Sequence, residues 1–296
     1  MPNEPPRPQG SPQHGVAPTE PTPASARRFE PSAGPSWLNR STVVFVDFVG
    51  QLGQLSRMTF GAVRALFRRP LELRSTIYQL EALGVRSLGI ASVVSLFTGL
   101  VMAVQFAYGL QKFGGIEYTG RIIGLSFARE LAPALTSLVV GARIGSGITA
   151  ELGSMAVTEQ IDAIRALGAD PLKKLVLPRL VASVVLMPVL AAFALVLGFT
   201  GAMAIISIEF SLPAGFFLQT ALESIRFGDY LSGMIKTPFF GAITALLGCH
   251  FGLTTRGGTE GVGMSTTRSV VAISISILIA DFFLTKVSML LWPNAG

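Results

Sequence analysis

Five long apolar runs constrain this chain more than any other feature. They occupy residues 88–110, 122–148, 175–208, 230–253 and 270–291 of 296. A bilayer hydrocarbon core is about 30 Å thick, and an α-helix crosses it in about 20 residues. Each run reaches that length, and the third exceeds what one crossing needs. A buried helical core in water is the competing explanation, but five runs of bilayer length in one chain argue against it. Half of the residues are hydrophobic and 14% are charged, against roughly 25% charged in soluble domains. The expectation is an all-α integral membrane protein with five transmembrane helices.

The distribution of charge orients these spans. The net charge is +6, and ten of the 23 Lys and Arg residues precede residue 87. Segment 111–121 holds only Lys112 and Arg121, and segment 209–229 holds Arg226 against Glu209, Glu223 and Asp229. Segment 149–174 holds Arg165, Lys173 and Lys174, flanked by Arg143 and Arg179; segment 254–269 holds Arg256 and Arg268. Positive residues accumulate on the cytoplasmic side of membrane proteins. The pattern predicts a cytoplasmic N-terminus, an outside C-terminus, and cytoplasmic placement of 149–174 and 254–269. Basic stripes interleaved with aromatics, as nucleic-acid binding needs, are missing. Cys249 is the single cysteine, and His14 and His250 are the two histidines, so neither an intrachain disulfide nor a zinc cluster is expected. His250 beside Cys249 reads as packing.

Two regions precede the spans. Residues 1–35 carry ten of the 18 prolines, a composition expected to stay disordered, and they contain no apolar stretch of the signal-peptide kind. In 36–87, Leu52, Leu55, Met58, Phe60, Val63, Leu66 and Phe67 recur at helical spacing, with Arg57, Arg64, Arg68 and Arg69 between them. An apolar face beside an arginine face suits a helix lying in the membrane interface. Pro70 interrupts it, and a second amphipathic piece over 71–86 leads into the first span.

Between the second and third runs lies a candidate cytoplasmic helix. Thr158 is placed to cap it, and Glu159 and Asp162 fall in its first turns, where the dipole favours acids. Ile161, Ala163, Ile164 and Leu167 form its apolar face, Gly168 ends it and Pro171 blocks continuation. Such a helix either packs on the bundle surface or docks a cytoplasmic partner.

Charges inside a membrane are costly and usually face a cavity or one another. Glu130, Lys236 and Asp281 are therefore the candidate functional set, with Lys236 positioned to pair with Asp281 or Glu130 across helices. The set serves either to gate a cavity between the helices, or to hold the bundle together. Arg129 and Arg143 lie nearer the ends of their run and can snorkel. Leu96, Phe97, Leu100, Val101, Val104 and Phe106 on the first span, with Ile277, Leu278, Phe282 and Leu284 on the fifth, are candidate walls of an apolar cavity. Gly141 and Gly145 form a small-xxx-small pair that permits close helix approach. No G-x-x-x-x-G-K-[ST] motif occurs, so any ATP energy must enter from another subunit. A rigid-body push on the 158–168 helix would tilt the two attached spans. A stand-alone secondary transporter or channel using the same charges is the alternative, though no convincing inverted repeat is visible. A membrane enzyme would need a catalytic constellation that these residues do not form.

The run ARELAPALTSLVVGARIGSGITAELGSMAVTEQIDAIRALGADPLKKLVLPRLVA, residues 128–182, resembles the signature region of the MlaE/YrbE family, the permeases of Mla-type ABC lipid transporters. The resemblance extends over about 76–292 and includes GVRSLGI at 84–90, GLVMAVQ at 99–105, the DY…IKTPFFG stretch at 229–241 and ADFFLTK at 280–286. Ala156 departs from it, since many relatives carry a basic residue there. The resemblance implies a non-enzymatic homodimeric permease in the bacterial inner membrane, with an interfacial N-terminal helix before five spans. It also implies an ATPase partner that binds ATP and magnesium and receives the loop residues Glu151, Thr158, Glu159, Gln160, Ile161, Asp162, Ile164 and Leu167. An MCE-domain periplasmic protein and, in many systems, a STAS-domain protein complete the implied partners. The implied substrate is phospholipid or a similar lipid, and no cofactor is implied in this chain.

Overall fold

The computed structural model describes residues 50, 53–62, 64 and 73–291. The Pro-rich stretch 1–35 and most of the expected interfacial region, 36–49, 51–52, 63 and 65–72, lie outside the described residues. Residues 53–62 are helical and form α1. Met58 and Ala62 on α1 join a core with Leu80, Leu83, Leu172, Leu175 and Val176, while Phe60, Arg57 and Arg64 are exposed. Met58 faces inward as its spacing predicts, but Phe60, expected on the apolar face, lies on the exposed side with the arginines.

All five expected spans are helical, and every one is longer than its apolar run. They comprise Leu73–Gln111, Ile116–Val157, Leu172–Glu209, Phe227–Leu253 and Gly258–Leu291. The first is one helix, α2 (Leu73–Gln111). The amphipathic piece expected over 71–86 and the first apolar run are continuous in it, because nothing near residue 87 can break a helix: no proline lies between 73 and 111, and isolated glycines only weaken one. The second combines a 3-10 turn, α3 (Thr119–Ser126), a π-helical stretch Phe127–Leu135 and α4 (Thr136–Val157). A short helix, α5 (Gln160–Ala166), follows. The third span opens with a π turn, Leu172–Val176, and continues as α6 (Leu177–Glu209). α8 (Phe227–Leu253) and α9 (Gly258–Leu291) are the fourth and fifth. Pro133, Pro188 and Pro238 all sit inside helical segments, which neighbouring helices make tolerable in membranes.

An eleven-residue helix, α7 (Ala214–Ser224), fills the segment that sequence reading left as a connector. It is too short to register as a span. Its place is fixed by glycines: a Cβ at Gly124 would lie 3.0 Å from the Ala221 carbonyl oxygen, and one at Gly120 would strike Thr220. α7 therefore seats directly on α3.

Small residues set the two main seams. α2 lies against α6, where a Cβ at Gly99 would collide with the Gly198 carbonyl and one at Gly201 would come within 2.7 Å of the Leu96 carbonyl. Gly84 faces Leu186 on the same seam, so the two helices run parallel. Gly99→Ala is expected to lower the unfolding free energy by about 1–3 kcal/mol, the usual cost of overpacking. Gly109→Ala, whose added Cβ would meet no atom within 4 Å, serves as the control in the same detergent melts and should not destabilise, since alanine is the better helix former.

α4 forms the second seam with α8 and α9. Gly145 receives the Ile273 side chain, and Gly141 receives Thr244 and Ile277. The close approach expected at Gly141 and Gly145 thus occurs within one chain. The Thr149 hydroxyl reaches the Gly145 carbonyl at 2.8 Å, the Gly248 carbonyl at 3.0 Å and the Ser269 hydroxyl at 2.8 Å, joining all three helices. His250 is buried edge-on against Phe251, 5.6 Å between centroids. It reads as packing here too.

Much apolar surface remains uncovered. Val271, Ile275, Leu278, Ile279, Phe282 and Phe283 are all exposed along α9. A contiguous apolar face of that length suits lipid or a protein partner, not water.

Candidate functional site: a charged cluster and a helical loop

The three intramembrane charges singled out from sequence meet at one point. Lys236 on α8 is 3% exposed, and its Nζ donates to Glu130 Oε1 at 2.8 Å and reaches Asp281 Oδ1 at 3.5 Å. It also donates to Thr285 Oγ1 at 2.7 Å and reaches the Arg129 carbonyl at 3.3 Å. The Thr285 hydroxyl in turn donates to Glu130 Oε1 at 3.0 Å. Four acceptors thus surround three N–H donors, and two carboxylates share one ammonium. The Asp281 contact is the longest and weakest of them.

Local sequence explains how the cluster assembles. In a regular α-helix Pro133 would leave the Arg129 carbonyl without its donor and clash with it. The chain widens instead into the π-helical stretch that carries Glu130, a device common at functional sites. Gly233 lets α8 approach that stretch, because a Cβ there would strike the Ala128 carbonyl; Lys236 lies one turn further along. Asp281 and Thr285 stand four residues apart on α9 and so share a face.

A second pair flanks the cluster. Asp229 is buried, caps α8 by accepting from the Arg226 backbone N–H at 3.1 Å, and lies 3.7 Å from Arg129. Arg129 is therefore an ion-pair partner and does not snorkel. Sequence reading missed Thr285, Asp229 and the role of Arg129. The i,i+4 relation of Thr285 to Asp281 was the available signal.

The loop between the second and third spans is smaller than expected. Thr158 does not cap a new helix: it closes α4, its hydroxyl donating to the Ser154 carbonyl at 2.8 Å. Glu159 takes the N-cap position with φ 59°, and α5 has only seven residues. The reversal at Glu159 replaces the cap. Gly168 does end the helix, with φ +76°, its N–H reaching the Arg165 carbonyl at 2.9 Å. Ile161 is the buried anchor and Ile164 is half-buried, but Leu167 is 85% exposed and so is not part of a packed face. Gln160 and Asp162 also face outward, Asp162 bonding Arg165 at 2.8 Å.

Glu151 belongs to α4, not to the loop. It pairs with the buried Arg179 of α6 at 2.7 Å, and Arg179 also donates to the Leu175 carbonyl at 2.7 Å. This pair clamps the two helices that the loop joins. Replacing Gly168 with valine is expected to cost about 1–2 kcal/mol at the loop, the penalty of left-handed backbone for a residue with a Cβ. Faster amide hydrogen exchange over 160–167 would register it.

The expected lipid-cavity wall is not formed within one chain. Phe97, Val101, Leu278 and Phe282 are all more than half exposed, while Ile277 is core. Leu100 and Val104 are half-buried. α2 packs along α6, whereas α9 packs along α4 and α8, so the two sets occupy separate surfaces. Periodicity shows which residues share a helix face but not which helix lies opposite.

Comparison with known proteins places this architecture. The chain matches the family described as Permease MlaE over residues 76–287. It is 38% identical over 224 residues to the Arabidopsis thaliana protein TRIGALACTOSYLDIACYLGLYCEROL 1, chloroplastic, covering 76% of this chain and 64% of that one. The match thus spans just under two thirds of the plant protein. A probable ABC transporter permease protein of Synechocystis is 38% identical over 223 residues, 75% of this chain and 84% of its own. Another probable ABC transporter permease protein, from Rickettsia conorii, is 34% identical over 241 residues, 81% and 93% of the two chains. The matched region contains the second to fourth spans, nearly all of the first and fifth, the charged cluster and the loop. The chain belongs to the MlaE permease family.

Proposed function

We propose that this chain is the membrane subunit of an ABC transporter that moves phospholipid or a similar lipid between the bacterial inner membrane and a periplasmic MCE-domain partner. A separate ATPase subunit drives it and binds the ATP and magnesium. Two copies form the permease, with N-termini in the cytoplasm and C-termini in the periplasm, and a STAS-domain protein joins the ATPase. The observation that carries the lipid reading is the cluster on Lys236. Three helices converge there on an ammonium with more acceptors than it can serve, while Glu130 keeps 38% of its side chain exposed. An incoming headgroup can exchange partners at such a centre without leaving a buried charge bare. The exposed walls on α2 and α9 are then completed by the second copy. The Arabidopsis relative's name, that of a galactolipid, is in keeping with a lipid substrate.

ATP energy enters through α5. It is anchored by Ile161, presents Leu167 outward, and joins spans that Glu151 and Arg179 clamp together. Affinity purification of the full chain from its own membranes tests the assignment. An ATPase subunit and an MCE-domain protein should co-purify, extracted lipid should be phospholipid-like, and reconstituted vesicles should transfer fluorescent phospholipid only with ATP. Lipid movement without any ATPase, driven by an ion gradient, would establish the secondary-transporter alternative instead.

A further inference from the structure

A cleft between α2 and α4, well away from the Lys236 cluster, holds an unusual set of groups. It encloses about 530 Å³ and is lined by Tyr78, Gln79, Arg86, Arg143, Ser146 and Glu151, among others. Arg143 Nη1 donates to Ser87 Oγ at 3.0 Å, and Ser87 donates to the Leu83 carbonyl at 2.6 Å, which fixes the guanidinium in place. Among the described residues, neither Arg86 nor Arg143 has a carboxylate within ion-pair distance. The one acid lining the cleft, Glu151, is already bonded to Arg179. Gln79 is 8% exposed, and its amide makes no hydrogen bond to a described residue. Gly147 leaves open space where a side chain would stand.

Two guanidiniums without a carboxylate partner in one cleft, Arg143 half-buried and held by Ser87, Arg86 exposed, suit an anion, because charge-assisted hydrogen bonds from such a pair are strong. Position says which anion. Arg86 and Ser87 come immediately before the apolar run of α2, and Arg143 is held at their level. Met58 and Ala62 of helix α1 belong to the same core cluster as Leu80 and Leu83. The cleft therefore sits at the edge of the hydrocarbon layer on the side of the α5 loop, where lipid phosphates lie. It is 13 residues, about 20 Å of helix, from Glu130 on the same span.

We propose that this cleft binds the phosphate of an anionic phospholipid from the leaflet beside the α5 loop. Arg86 and Arg143 grip the phosphate, Gln79 donates to a headgroup or ester oxygen, and Ala82 and Leu83 meet the glycerol end. The proposal depends on the helices spanning a bilayer, and not on ATPase coupling or on transport through the Lys236 cluster.

Native mass spectrometry of the full-length protein with phosphatidylglycerol and phosphatidylcholine tests it. Wild type should retain phosphatidylglycerol at least tenfold better than phosphatidylcholine. Arg86→Gln with Arg143→Gln should remove that preference, and Arg143→Lys should keep part of it. Excess inorganic phosphate should leave lipid retention unchanged; displacement by phosphate would show a free-anion site and overturn the lipid assignment. If the double variant binds as wild type, or shifts only the monomer–dimer ratio, the cleft is not a lipid site. A photoactivatable phosphatidylglycerol used on wild type avoids any folding defect. Its adducts should map to 78–86 and 143–147, and adducts only elsewhere would overturn the proposal.

Discussion

Replacing Lys236 with methionine is expected to abolish ATP-dependent lipid transfer and to lower the unfolding free energy by about 3 kcal/mol. Removing one partner of a buried pair costs about 3–5 kcal/mol because the remaining charge stays behind. Here it leaves Glu130 and Asp281 with no cation between them, and only Glu130 keeps the Thr285 hydroxyl as a donor. The lower end of the range applies because Glu130 is 38% and Asp281 20% exposed, so water or headgroups screen part of the repulsion. Adding Glu130→Gln separates the two roles of the cluster. The double variant should recover much of the lost stability, since one of two uncompensated charges is gone, but should not recover transfer. A Lys236→Met protein that transfers lipid at the wild-type rate would reduce the cluster to a structural clasp. Thermal unfolding in detergent and transfer between vesicles measure the two effects separately.

The second large effect is expected at Leu167. A leucine 85% exposed at the tip of an extramembrane loop has no fold to support and is the kind of residue that anchors an interface. Leu167→Asp should weaken binding of the ATPase subunit by about thirtyfold or more, the fold-change of a 2 kcal/mol hot spot. The fold itself should be unaffected, since surface changes usually stay within about 0.5 kcal/mol. Ile161→Asp provides the contrast. Ile161 is 5% exposed, so a charge there should unseat α5 and lose binding and loop protection together. Unchanged ATPase affinity in Leu167→Asp, with α5 intact by hydrogen exchange, would place the docking surface elsewhere. The same pair of variants separates docking from transmission. Leu167→Asp should leave the Glu151–Arg179 clamp intact, whereas Glu151→Gln should leave docking intact and weaken coupling of ATP hydrolysis to transfer.

Sequence and structure contribute differently to these expectations. The five spans were legible from the chain because bilayer thickness and helix rise set a length that composition alone can meet. The charged trio was legible for a related reason: an ion in an apolar run is so costly that its position already implies a partner. Gly168 as a helix stop followed from the left-handed backbone that only glycine adopts freely. Span ends, the capping role of Thr158 and the existence of α7 were not legible. Helix ends are decided by packing outside the membrane, where neighbouring segments compete, and α7 exists because Gly120 and Gly124 open a seat for it on α3.

What the amino-acid sequence determined by itself was the solvent and the cast: a bilayer chain, five crossings, and three ions that had to be paired. What only the tertiary structure decided was the company each side chain keeps. It showed that Lys236 serves both carboxylates, with Thr285 bonded to Lys236 and Glu130, that Arg129 belongs to Asp229, and that the apolar faces of α2 and α9 turn outward from one chain. The physical reason is that burial energies depend on each residue's own chemistry and neighbours along its helix, whereas pairing depends on which helices meet. That choice is made by close glycine contacts such as Gly99 with Gly198 and Gly145 with Ile273, whose partners lie about a hundred residues away.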